Sequence, residues 1–204
     1  MEGKITFKKL DKEHYETLKK WWYSERVRQF WDNSAEMEED VDNYVTNGEK
    51  TYYDYYIGFY DGVPYALVMT SEQTADDYYE YYKEYLSKTG KTYAIDFMMG
   101  NEEFVGKHLS SITLRTFVEE YSDKEADRFI IDPEFDNEIA FKCYKGAGFE
   151  DVDSYVVKDG FFKGKKLHLM IRGREKQQDI EAKTSMPTER WITIHWDVNN
   201  ILVL

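Results

Sequence analysis

Apolar and polar residues alternate over Lys4–Lys9, where Ile5 and Phe7 stand among polar neighbours; a period of two predicts a short strand. The period then lengthens. Leu18, Trp21 and Trp22 share one side of a helix that Asp11 can cap, with His14 at its third position. Val27, Phe30 and Trp31 predict a second short helix, and Ser34 opens an acidic one through Met37, Val41, Tyr44 and Val45 that ends near Asn47-Gly48. Tyr52–Tyr60 and Val63–Thr70 are rich in strand formers and joined by Asp61-Gly62, a hairpin signal. Asp76–Leu86, dense in Tyr, Asp and Glu, fits either a helix or an irregular loop.

Thr92–Met99 predicts a strand, and Leu109, Ile112, Thr113, Thr116, Phe117 and Tyr121 recur at helical spacing. Arg128–Asp132 is short and nearly all apolar, as the buried centre of a sheet requires. Asn137–Lys145 predicts a helix closed by Gly146-Ala-Gly148, and Ser154–Val157 with Leu167–Ile171 predicts a last hairpin. The expected fold is therefore α/β: a mixed central sheet of six or seven strands flanked by helices, in one domain over residues 1–174. Residues 175–204 form a C-terminal extension, polar up to Arg190, in which Trp191–Trp196 alternates as one extra strand.

Composition narrows the function more than the fold. With 27 Lys and Arg against 40 Asp and Glu, the net charge is −13, which argues against nucleic acid and allows a cationic partner. The lone cysteine, Cys143, excludes an internal disulfide, and the four histidines are scattered without metal-ligand spacing, so no metal is expected. No apolar run approaches the roughly 18 residues of a membrane span, and no signal peptide is evident, so a cytoplasmic location without membrane attachment is expected.

The chemistry concentrates in Thr92–Phe149. The strand ending near Met99 leads through Val105-Gly106-Lys107-His108-Leu109-Ser110-Ser111 into a helix, whose first N–H groups are free to meet an anion such as a pyrophosphate. A second strand ends on Ile131-Asp132-Pro133, and Asn137 opens the next helix. That helix carries Ala140 and finishes on Tyr144-Lys-Gly-Ala147-Gly148-Phe149.

Asp132-Pro133, Asn137, Ala140 and the Tyr-x-x-Ala-Gly-Phe ending resemble the pattern of the GNAT acetyltransferases. Ile95-Asp96, Val105-Gly106-Lys107, the Asp132 segment and the aromatic leading helices are similar to the aminoglycoside 6′-N-acetyltransferases in particular. The likeness covers about residues 4–173. It implies acetyl-CoA as cofactor, its phosphates on the N–H groups of Gly106–Ser111, and its pantetheine arm along the strand edge at Phe97, Met98 and Met99, with Val105 beside it. Asn137 would hold the cofactor by its amide, and Tyr144 would donate a proton to the leaving thiolate. Asp96 and Asp132 would position an ammonium and accept its proton. Trp22, Trp31, Tyr78, Tyr79, Tyr81 and Tyr82 could wall the cleft, with Asp76, Asp77, Glu80 and Glu84 supplying charge; such residues also serve as core on one face and solvated surface on the other.

His108 and Ser110 depart from the family loop, which usually carries glycine or alanine at those places. The expected reaction is acetyl transfer to a primary amine of a cationic small molecule such as an aminoglycoside, in a ternary complex without covalent participation of Cys143. Acetylation of a protein N-terminus or lysine, or CoA binding without catalysis, are the alternatives. The tail strand is expected to add to a sheet edge of its own domain or of a second copy, which would make a homodimer.

Overall fold

In the computed structural model, which describes residues 3–48 and 51–174, the opening alternation forms β1 (Ile5–Lys9). Three helices follow: α1 (Lys12–Trp22), α2 (Glu25–Arg28) and α3 (Ala35–Asn47). The expected caps are in place: Asp11 Oδ1 accepts from the His14 N–H at 3.2 Å, and Ser34 Oγ from that of Met37 at 3.3 Å. Each such cap stabilises its helix by about 1 kcal/mol. The second helix is shorter than its apolar spacing predicted. It stops at Arg28, leaving Phe30 exposed and Trp31 in the connection, with three residues to Ser34 for the chain to turn into α3.

β2 (Asp54–Tyr60) and β3 (Val63–Gln73) form the expected hairpin, with positive φ at both Asp61 and Gly62. The Tyr-rich segment resolves into a 3₁₀ turn, Glu80–Tyr85. β4 (Lys91–Met99) leads to α4 (Ser110–Thr116), which continues as a π-helical turn over Phe117–Tyr121 rather than as one uniform helix. β5 (Ala126–Ile131), α5 (Glu138–Gly146), β6 (Glu150–Val156) and β7 (Lys166–Gly173) complete the described chain. The seven strands make one mixed sheet, β1-β2-β3-β4-β5-β7-β6, in which only β4 and β5 run parallel. The extra strand expected at Trp191–Trp196 lies outside the described residues.

Strand alternation then divides the core between the two sheet faces. Leu67 and Met69 of β3 and Met98 of β4 pack with Leu18, Trp21 and Val41 of α1 and α3. Val68, Ile95 and Phe129 pack on the other face with Leu114 of α4, Phe117, and Tyr144 of α5. Fully buried side chains such as Leu67 and Phe129 each contribute about 1.5–3 kcal/mol.

Candidate active site

The sheet opens at its centre. β4 and β5 pair from Lys91↔Ala126 only as far as Ala94↔Ile130. Beyond that point Ile95–Met99 pair with β3 alone, and Ile131 pairs with β7 alone. Pro133 contributes to the parting, because it has no N–H to give and its carbonyl is taken by the His168 N–H at 3.0 Å. The result is a wedge between two parallel strands, with one edge of β4 left without a strand partner among the described residues.

Asp96 and Asp132 stand on the two sides of this wedge. Each lies two residues past the last paired position, Ala94 and Ile130, so the period of two puts both on the face where Ala94 and Ile130 pack with Tyr82. Both are half-buried. Burial, then the charges of Asp132 and Asp32, push the Asp96 carboxyl up to about 7. Burial pushes Asp132 up to about 6, against hydrogen bonds from the Tyr155 and Tyr82 hydroxyls that hold it down. Both phenols donate to the same oxygen, Oδ2, that of Tyr82 at 2.6 Å. Tyr53 borders the same space: burial and then the charge of Asp96 raise its phenol far above its ordinary value. Among the described residues, no lysine, arginine or histidine forms an ion pair with Asp32, Asp96 or Asp132.

On the other side of the wedge, the backbone supplies the chemistry. Gly106 has φ +77° with nothing near the place a Cβ would occupy, and His108 adopts φ +57°. The N–H groups of Gly106, His108, Leu109, Ser110 and Ser111 find no acceptor among the described residues, whereas that of Lys107 is held by the Phe104 carbonyl at 3.3 Å. Such a run of free donors at a helix start suits a polyanion. The positive φ explains why the resembling family favours glycine where this chain has His108. Left-handed backbone costs a side-chain-bearing residue roughly 1–2 kcal/mol.

Phe97, Met98 and Met99 hold the open edge of β4, with Met98 buried toward α1. The strand is terminated by the Arg26 guanidinium, whose Nη2 donates to the carbonyls of Met99 at 2.7 Å and Gly100 at 3.0 Å. Val105 is exposed beside the loop. The Asn137 Oδ1 accepts from the Ala140 N–H at 3.1 Å as the cap of α5, which uses one end of its amide and leaves Nδ2 for a ligand. Ser111 is turned away toward α5: its Oγ donates to the Cys143 carbonyl at 2.8 Å, against Gly146. Free N–H groups, an open strand edge and a glycine with room around it fit acetyl-CoA.

Tyr144 is buried with Ala147 and Phe149, yet it feels the charges of Cys143, Asp96 and Asp132. Burial foremost, then those charges, raises its phenol well above its ordinary value, so its proton is held tightly. Burial also raises the Cys143 thiol, which disfavours a thiolate nucleophile.

Trp22 belongs to the core. Its Nε1 donates to the Asp32 carbonyl at 3.0 Å, so it shapes the cleft by holding Asp32. Trp31 packs half-buried beside that core, and its enclosed Nε1 has no partner among the described residues. Of the other aromatic candidates, Tyr82 reaches the site and Tyr79 packs beside it; Tyr81 bonds to the Val156 carbonyl at 3.1 Å, and Tyr78 lies near Lys83. Asp76, Asp77 and Glu84 are exposed, and Glu80 pairs with Lys158 at 3.0 Å. Asp32, Tyr53 and Tyr155 were missed; nothing local distinguishes them, since the β-sheet order and the turn after α2 bring them in.

Known proteins agree with this architecture. The family described as Acetyltransferase (GNAT) domain matches residues 11–156, and the chain belongs to that family. It is an acetyl-CoA-dependent N-acetyltransferase. Among solved structures it is similar to the aminoglycoside N(6′)acetyltransferase of Legionella pneumophila, at 20% identity and TM-score 0.69, over 90% of this chain and 98% of that one. It is also similar to the aminoglycoside acetyltransferase AAC(6′)-Ib in complex with coenzyme A and kanamycin, at 22% identity and TM-score 0.68, over 89% of this chain and 100% of that one. Spermidine N-acetyltransferase from Vibrio cholerae, in complex with CoA and spermine, shares the fold at 12% identity and TM-score 0.61, over 83% and 95% of the two chains. No curated protein matches by sequence. No helix among the described residues is long and apolar enough to cross a membrane.

Proposed function

We propose that this enzyme acetylates a primary amine on a small polycationic molecule, with aminoglycosides acetylated at the 6′-amine as the leading class. One observation carries the reading: three carboxylates, Asp32, Asp96 and Asp132, surround the wedge without a cation of the described chain to neutralise them. An acidic recess of that kind is favourable only for a guest that brings the positive charge. The solved relatives that carry kanamycin or spermine lend support at the level of the fold. The domain ends at Arg174 in this reading, and the cell interior, where acetyl-CoA is made, is its place of work.

Acetyl-CoA, when bound, supplies the acetyl group as a thioester. The free N–H groups of Gly106, His108, Leu109 and Ser110 would hold its phosphates, and the open edge of β4 its pantetheine arm. Asp132 holds the ammonium as its counter-ion. Asp96 then takes a proton from it, which frees the nitrogen lone pair for attack, and a carboxylate raised to about 7 is a better base than an ordinary one. Tyr144 keeps its proton at neutral pH and holds it at Oη for the departing sulfur.

An acetyl-CoA consumption assay against aminoglycosides, polyamines and peptides tests the assignment. Turnover of multiply charged small amines, with kcat/KM rising as pH passes through about 7, is expected. Turnover confined to peptides would overturn the substrate class. Gly106→Val should weaken CoA binding by tenfold or more on the order of magnitude of a lost backbone conformation, measured by calorimetry.

A further inference from the structure

Asp132 is gripped from two separate elements. The 3₁₀ turn Glu80–Tyr85 brings Tyr82, and β6 brings Tyr155. Neither ring is free to swing. Tyr81 stacks on Tyr155 with centroids 4.0 Å apart and planes 13° apart, and its hydroxyl accepts from the Lys158 N–H at 3.0 Å while donating to the Val156 carbonyl. Tyr85 donates to Asp153 at 2.8 Å, Arg128 donates to the Tyr85 carbonyl at 2.9 Å, and Lys158 pairs with Glu80. Asp96, across the wedge, accepts no hydrogen bond among the described residues. Two carboxylates of one cleft thus have unequal environments.

Building on the proposed reaction, we propose that Tyr82 and Tyr155 are positioning residues that divide the labour of the pair. By both donating to Oδ2, they keep Asp132 the anion that binds the ammonium and leave the last proton to depart on Asp96, the base. Two carboxylates that feel each other's charge do not ionise independently, and the one accepting hydrogen bonds ionises first. The groups that face the pair are Asp32 from the turn after α2, Tyr53 ahead of β2, Tyr55 of β2, Tyr79 and Tyr82 from the 3₁₀ turn, Tyr144 from α5, and Tyr155 from β6. None of them is a cation; Asp132 accepts from the two phenols, whereas Asp96 accepts no hydrogen bond among the described residues and meets the charge of Asp32. The causes agree: the two phenol hydrogen bonds act to lower the Asp132 carboxyl, and none acts on Asp96.

Carboxyl ¹³C NMR titration of the free protein reads both ionisations without any substrate, using Asp96→Asn and Asp132→Asn for assignment. In the wild type Asp132 should lose its proton first. In Tyr82→Phe/Tyr155→Phe the Asp132 curve should move up by about one pH unit or more, and the Asp96 curve should move down as its neighbour stays neutral. Each single variant keeps the ring packing and one phenol, and should show a smaller shift in the same directions. Asp96 ionising before Asp132 in the wild type, or an Asp132 curve unmoved in both single variants, would overturn the proposal. A purely structural role predicts a lower melting temperature with unmoved curves. Failure of every amine in the turnover assay, with the curves shifting as described, would remove the substrate reading and leave this pairing intact.

Discussion

The two ends of β4 each collect carboxylates, and they treat them in opposite ways. At its beginning, Asp123 accepts from the Tyr93 hydroxyl at 2.9 Å, from Lys91 Nζ at 3.1 Å and from the Glu125 N–H at 2.9 Å. Lys91 also lies 3.7 Å from Glu72 and 3.2 Å from Glu125. The Glu125 N–H foremost, with Lys91 and Tyr93, holds the Asp123 carboxyl below its ordinary range despite partial burial. At the other end Asp96 is pushed up to about 7. An acid that meets a cation of its own chain is part of the scaffold. An acid kept from one is available for chemistry, at a cost in stability.

That contrast can be broken most sharply at Asp96. Asp96→Asn should lower kcat by about 10²–10⁴-fold with CoA affinity unchanged, since it keeps the shape and removes the proton acceptor. The same change should stabilise the fold at pH 8. The folded state holds the Asp96 proton up to about 7, against the ordinary 3.8, so its contribution to stability is present at low pH and lost as pH rises through that window. Asn removes the penalty of the buried charge, worth roughly 1–3 kcal/mol, and the melting temperature should rise by about 2–4 °C for each of those kcal/mol. An unchanged rate, read by acetyl-CoA consumption, would place the base elsewhere.

A smaller and opposite effect is expected at the other end. Lys91→Ala leaves Glu72, Asp123 and Glu125 facing one another, so the melting temperature should fall, more at pH 8 than at pH 4. Its kcat should stay within about twofold, because the change lies at the end of the strand away from the reacting groups. A loss of activity matching that of Asp96→Asn would erase the distinction between the two clusters. The smallest effect belongs to His108, which touches neither. His108→Gly removes a side chain from left-handed backbone and should raise the melting temperature by about 2–4 °C while CoA affinity, followed by calorimetry, holds or improves.

The elements along the chain were legible from local pattern where the pattern was long or the turn chemistry specific. The β2–β3 hairpin rested on Asp61-Gly62, and both residues adopt positive φ. The caps Asp11 and Ser34 are where the polar residue before each apolar stripe placed them. The failures are local too. Phe30 and Trp31 fit a helical stripe but lie outside α2. The helix after Ser110 widens to a π turn because burying both Phe117 and Val118 against the sheet outweighs a uniform repeat. Trp22 fits either a cleft wall or the core by residue type, and its spacing with Leu18 and Trp21 marks the core position it takes.

The sequence by itself determined where the candidate residues stand along each element: Asp96 and Asp132 near strand ends, Gly106 before a helix, Tyr144 near the end of another. Strand period and helix spacing are properties of a few neighbouring residues, and they survive in any fold that contains those elements. Only the tertiary structure decided that β4 and β5 are neighbours that part after Ala94 and Ile130, which puts the two carboxylates on one face across a wedge. Only it brought Tyr82, Tyr155 and Asp32, distant in the chain, to the same pair and kept the described lysines and arginines from pairing with it. The reason is that a carboxylate's charge depends on what surrounds it within a few ångströms, and for this pair every such neighbour arrives from another element of the fold.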